Sequence, residues 1–168
     1  MAASAAEGTS GGDGGVDVKK TIDLVSNDGE RFEVARDAAQ LCKTLRWMIK
    51  DGYGRIPLPN VASSILARVV DYLGRHAAAA DADAMDDDGL HRFDADFLAG
   101  VDQDTLFDLL LAANYLQADG LLDLACKKVA GMMTGKSPEQ MREIFHIVND
   151  LTPEEENEIR EEISWALN

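Results

Sequence analysis

Cysteine is scarce in this sequence, and long apolar runs are missing altogether. Two cysteines in 168 residues, Cys42 and Cys126, are too few for a disulfide scaffold. Each falls within an apolar helical pattern with no obvious cationic or histidine partner, so both read as reduced core thiols rather than nucleophiles. No stretch approaches the roughly 18 apolar residues that a spanning helix needs. Residues Met1–Gly15 are alanine, serine and glycine with a few acids, and lack the basic start and apolar run of a secretory signal. The expected location is therefore the nucleus and cytoplasm. Basic residues are also in deficit: 16 Lys and Arg stand against 31 Asp and Glu, a net charge of −15. That balance disfavours nucleic acid and anionic membrane, and suits a basic protein partner or solubility alone. His76, His91 and His146 lie far apart with no Cys or Ser pattern around them, so they read as surface residues.

What is present is an ordinary globular composition, 46% hydrophobic and 28% charged, long enough for one core and an appendage. Residues 1–17 bury too little to offset their ordering entropy and read as a disordered arm. Thr21–Val25 and Arg31–Val34 alternate in polarity around Ser26-Asn27-Asp28-Gly29, whose Asp-Gly step suits a tight hairpin turn. Ile22, Leu24, Phe32 and Val34 are its candidate core residues. Asp37 and Gln40 have capping-box spacing, and Leu41, Leu45, Met48 and Ile49 follow at helical spacing until Gly52. Ile56-Pro57-Leu58-Pro59 can be only an edge strand, because proline donates no hydrogen bond. Asn60 is placed to cap a helix carrying Ile65, Leu66, Val69, Tyr72 and Leu73.

Residues 77–91 turn to alanine and aspartate and read as a flexible, solvated loop. Asp86, Asp88 and Gly89 match the third, fifth and sixth positions of a calcium loop. Ala84 and Ala95 would then hold the first and twelfth without a side-chain oxygen, so no metal site is expected. Leu106–Ala113 is apolar nearly all round, as a central buried helix would be, and Asn114 and Tyr115 close it with polar tips. Leu121–Met133 follows, with Leu122, Ala125, Cys126, Val129, Met132 and Met133 along one stripe. The domain is expected to span 18–133, and residues 134–168 form a tail.

Two helix starts are written into that tail. Ser137-Pro138-Glu139-Gln140 and Thr152-Pro153-Glu154-Glu155 each supply a cap, a proline at the first helical position and a capping-box residue. The acids also suit the positive end of the helix dipole. The helices behind them have little bulk: Met141, Ile144, Phe145 and Ile147 in one, Ile159, Ile163, Trp165 and Leu167 in the other. Either they fold back to complete the core, or they leave an acid-rimmed groove for another protein's helices.

Several segments stand in a recognisable order: Pro57-Leu58-Pro59-Asn60-Val61, Asp94-Ala95-Asp96-Phe97, Leu111-Ala112-Ala113-Asn114-Tyr115-Leu116, Gly135-Lys136-Ser137-Pro138-Glu139, Asn149–Glu156 and Trp165-Ala166-Leu167. With them the chain resembles, from about Val18 to its end, the S-phase-kinase-associated adaptor family, which links F-box proteins to a cullin in SCF ubiquitin ligases. The resemblance implies an α/β fold: a BTB/POZ-type domain, a short β-sheet covered by helices, followed by two C-terminal F-box-binding helices. It implies an adaptor without catalytic residues, cofactor or small-molecule substrate, acting by proximity. On matching positions Asn114 and Tyr115 would face the cullin. Leu122, Cys126, Val129, Met132, Phe145, Ile147 and Trp165 would face the F-box. The sequence departs from the family at Phe93 (usually tryptophan), Leu151 (usually phenylalanine) and the closing Leu167-Asn168. One extra residue falls within Phe97–Val101, and the loop from Gly52 to Ile56 is short. Two rival readings stand beside it: a BTB-type module that self-associates and binds no F-box protein, and an enzyme whose acidic clusters bind a metal for hydrolysis, which the lack of histidine-ligand spacing disfavours.

Overall fold

The computed structural model describes residues 20–81 and 87–164. The expected arm at 1–17 lies outside them, as do Trp165, Leu167 and Asn168. Two compact units divide the chain, Met1–Ala125 and Cys126–Asn168. The expected boundary after Met133 falls later in the chain than this division.

The hairpin forms as its alternation requires. β1 (Thr21–Val25) pairs antiparallel with β2 (Arg31–Ala35), placing Ile22 opposite Val34 and Leu24 opposite Phe32. β3 (Arg55–Pro57) pairs parallel to β1, and the order β2-β1-β3 leaves the proline-bearing strand at an edge. Ile22, Leu24, Val34 and Ile56 are buried, while Phe32 is half-buried. Each fully buried aliphatic is worth about 1.5–3 kcal/mol over an exposed one. The turn is tied to the rest of the unit through Asp28. Its carboxylate accepts from the Ser26 and Ser63 hydroxyls and from the Ser63 amide, the last at 3.2 Å. The Ser26 bond, then the Ser63 bond, holds the Asp28 carboxyl below its usual range.

Two helix starts differ from expectation. β2 runs directly into α1 (Arg36–Ala39), so Ala35 takes the cap position and Asp37 lies inside the single turn. α2 (Lys43–Lys50) starts separately at Cys42 and buries Leu45 and Ile49, whereas Leu41 is exposed. Gly52, at φ 88°, ends it as expected, since an L-residue with a Cβ resists that left-handed conformation. Asn60 lies three residues before α3 (Ser63–Asp81) and does not cap it; the Val61 N–H instead closes a turn on the Leu58 carbonyl at 3.2 Å. The apolar face of α3 is as expected, with Ile65, Leu66, Val69, Tyr72 and Leu73 all buried.

The loop expected over 77–91 is helical at both ends. Ala77–Asp81 extends α3, because alanine is the best helix former, and α4 (Asp87–Leu98) already includes Asp88–His91. Residues 82–86 lie outside the described residues. α5 (Gln103–Leu116) starts at Asp102, whose carboxylate accepts the Thr105 N–H at 3.1 Å. It is not buried all round: Leu106, Leu109, Ala112, Ala113 and Leu116 face inward, while Leu111 is 63% exposed. α3 packs against β2, α1, α4 and α5, which makes it the spine of the first unit. α6 (Asp119–Met133) buries Leu121 and Ala125. Gly120 lets it approach α3, since a Cβ there would lie 2.9 Å from the Tyr72 hydroxyl oxygen. No helix of the described residues is long and apolar enough to cross a membrane.

Candidate functional site

Asn114 and Tyr115 occupy the last turn of α5, and both side chains are exposed. The end of that helix is fixed by Gln117 in the left-handed conformation (φ 52°), with the Ala118 N–H bonded to the Ala113 carbonyl at 2.9 Å. α2 abuts the same end. The Thr44 hydroxyl donates to the Tyr115 carbonyl at 3.2 Å, and the Lys43 N–H donates to the Gln117 carbonyl at 3.2 Å. Leu111, one helical turn before Tyr115, completes an exposed apolar stripe that its all-apolar surroundings hid in the sequence.

The second candidate face starts on α6. Leu122, Cys126, Val129 and Met132 follow at spacings of four, three and three, so they share one side of the helix. Leu122, Val129 and Met132 are half-buried and Cys126 is exposed. The core-thiol reading of Cys126 is thus corrected: Leu121 and Ala125 occupy the inward stripe, and Cys126 lies one position round from it. Cys42 is a core thiol as expected, and burial pushes it up to about 12.

The tail helices start where the sequence places them. In α7 (Pro138–Ile144) the Ser137 hydroxyl accepts the Gln140 N–H at 3.2 Å, and Gln140 Oε1 accepts the Ser137 N–H at 3.0 Å. In α8 (Pro153–Glu162) Thr152 and Glu155 make the same exchange, at 3.3 and 2.8 Å. Bonds from the Thr152 amide and hydroxyl hold the Glu155 carboxyl below its ordinary range. α7 stops at His146, which takes φ 53°, with the Ile147 N–H on the Arg142 carbonyl at 2.8 Å. That stop leaves Phe145 half-buried, Ile147 56% exposed and Val148 83% exposed. Neither helix contains a buried residue. Trp165, the remaining candidate of this face, lies outside the described residues.

Between α7 and α8 is a groove of about 430 Å³, lined by Pro138, Leu151, Ile159 and Ile163 with Arg142 and Arg160. Two ion pairs cross it, Arg142–Glu156 at 3.1 Å and Arg160–Glu139 at 3.5 Å, and Asn149 Nδ2 adds a bond to Glu156 at 2.9 Å. Sequence reasoning missed this charged clamp, which joins residues 14 to 21 positions apart. The departing residue Leu151 is part of the groove wall.

Phe93 has a different setting. It lies 5.7 Å from Phe97 and edge-on to His76 at 6.3 Å, with the Arg75 guanidinium 5.6 Å from its ring centre. His76 is no free surface residue, as its side chain is only 19% exposed. It stacks on Tyr72 at 4.0 Å and bonds Asp94 Oδ1 at 2.8 Å, which holds α4 to α3. Among the described residues no group of three or more His, Cys, Asp or Glu is arranged to hold a metal ion. Exposed apolar stripes on well-capped helices can bind another protein's side chains.

Residues 20–78 match the model of the Skp1 family tetramerisation domain, and residues 119–166 that of the Skp1 family dimerisation domain. SKP1-like protein 4 of Arabidopsis thaliana is 50% identical over 161 residues, covering 90% of this chain and 98% of its own length. SKP1-like protein 1 of Oryza sativa subsp. japonica is 51% identical, covering 89% and 96%. The SCF ubiquitin ligase complex protein SKP1a of Dictyostelium discoideum is 45% identical, covering 86% and 94%.

Proposed function

The chain belongs to the Skp1 family, the adaptors of SCF ubiquitin ligases, and from that membership we propose that it bridges an F-box substrate receptor to a cullin. Its first unit is of the BTB/POZ-type α/β class. In this reading Asn114 and Tyr115 dock the cullin. Leu122, Cys126, Val129 and Met132 of α6, with Phe145, Ile147 and Trp165 of the tail, receive the F-box. The protein works in the nucleus and cytoplasm. It supplies no reacting group: its contribution is proximity, holding a receptor-bound substrate near a ubiquitin-charged enzyme carried elsewhere on the cullin.

The observation that carries the reading is the state of α7 and α8. Each is started by a reciprocal capping box, yet neither buries a single residue. Helices this short take their stability from packing, so well-specified helices with apolar side chains left outside suit a surface completed by a partner. The deciding experiment is a binding assay of the full-length chain against a panel of F-box domains and a cullin N-terminal domain. Trp165→Ala should abolish F-box binding and spare the cullin, and the double change Asn114→Ala/Tyr115→Ala should do the reverse. A stable homodimer that binds no F-box domain would replace this reading with a self-associating module.

A further inference from the structure

α2 is a sharply two-sided helix with one residue on the wrong side. Leu45 and Ile49 face inward with Cys42, and the outer side carries Lys43, Arg46 and Lys50. Trp47 belongs to that outer side. It is 63% exposed, which leaves a large aromatic surface in water, and its ring has Lys50 Nζ 5.5 Å from its centre. Exposed Tyr53 follows just beyond the helix. Three of the eight residues of α2 are basic and none is acidic, in a chain whose net charge is −15. An exposed aromatic ring flanked by cations, against the sign of the rest of the molecule, is the composition of an interface anchor rather than of a solvated helix face.

We propose that the outer face of α2 is a second part of the cullin-docking surface, with Trp47 as its anchor and Arg46 and Lys50 selecting an acidic helical segment. The proposal rests on the cullin reading of Asn114 and Tyr115, and adds to it a residue class and a charge preference. Continuity commits the face to that partner. The Thr44–Tyr115 and Lys43–Gln117 hydrogen bonds join α2 to the end of α5 that carries Tyr115, and an ion pair between Lys43 and Asp119 at 2.5 Å ties it to the start of α6 just beyond. A partner seated on Tyr115 therefore has Trp47 one helical turn beyond Thr44 within its reach. A second copy is the poorer occupant, since two-fold pairing of this face would set Arg46 and Lys50 against their own images. An acidic segment meets those cations favourably, and the apolar ring supplies most of the affinity.

The test is calorimetric titration of the full-length chain with a cullin N-terminal domain and, separately, an F-box domain. Trp47→Ala should weaken the cullin about 30-fold, equivalent to about 2 kcal/mol, with F-box affinity unchanged. Arg46→Glu/Lys50→Glu should weaken the cullin and flatten the salt dependence of its association rate. If Trp47→Ala unfolds the chain, the double charge reversal still reads the same face. Cullin affinity unmoved by either variant, while Asn114→Ala/Tyr115→Ala abolishes it, overturns the proposal and leaves the cullin reading intact. No loss from any of the three overturns both. A Trp47 indole resonance that shifts with the chain's own concentration, without cullin, assigns the face to a second copy and overturns the proposal.

Discussion

Thiol labelling distinguishes the two cysteines and tests the F-box face at once. Cys42 has no exposed surface, and burial raises its thiol to about 12. At about pH 8 only about one part in 10⁴ of such a thiol is thiolate, the form that reacts. Access adds a second barrier. Cys42 lies in the core of its unit, and a domain stable by about 5–10 kcal/mol opens globally for only about 10⁻⁴ to 10⁻⁷ of the time. Cys126 is exposed on α6 and meets neither barrier. A maleimide followed by intact-mass spectrometry should therefore give one fast adduct on the native chain and two in denaturant, with peptide mapping placing the first on Cys126. Adding an F-box domain at about 100 times its dissociation constant should slow that adduct about 100-fold, because only the free fraction reacts. Two fast adducts on the native chain would refute the burial of Cys42. Full-rate labelling of Cys126 in a complex that stays bound would remove Cys126 from the F-box face.

The remaining predictions concern stability. Burial raises both Cys42 and Tyr72 to about 12, from 9.0 and 10.0, so the folded state keeps protons that the unfolded chain releases. The stabilisation is whole below about pH 9 and is lost as pH rises towards about 12; alkaline denaturant titrations should show this, and Cys42→Ala should flatten the lower part of the fall. Gly120→Ala sets a methyl against the Tyr72 hydroxyl and should cost about 1–3 kcal/mol by thermal unfolding, with Tyr72→Phe restoring part of it. Ser137→Ala and Thr152→Ala each remove a cap and should cost about 1 kcal/mol, seen as faster amide exchange in α7 or α8. His146→Gly relieves a left-handed residue with a side chain and should stabilise the end of α7 by about 1 kcal/mol.

Where local chemistry decides the outcome, the residues could be read directly. The Asp-Gly hairpin, the edge position of β3 and both tail capping boxes each follow from a few adjacent side chains. Readings failed where neighbours decided. Asp37 has capping chemistry, but β2 ends at Ala35 and leaves it no cap position. The alanines after His76 resemble loop because aspartates follow them, although alanine extends a helix that packing has already begun. Cys126 and Leu111 share the polarity of their buried neighbours, and only the direction of the core separates inside from outside. His76 shows its role only once Tyr72 and Asp94 stand beside it. Of the candidate site, the residue types were legible, but Trp47 and the Arg142–Glu156 clamp were not, because one depends on which side of α2 is covered and the other on a chain reversal.

The order β2-β1-β3 also has a consequence for how the chain is made. The earliest strand among the described residues is the central one, so during synthesis its first partner, β2, emerges at once, while its other edge stays unpaired until Arg55 has left the ribosome. The local hairpin closes in about 1–10 μs, but the parallel pairing must close a loop that includes α1 and α2. A nascent chain arrested when Lys50 has emerged from the ribosome but β3 has not should therefore hold its hairpin with one bare strand edge. Chaperones that recognise unpaired strands should bind that length and release it a few residues later, once β3 has docked.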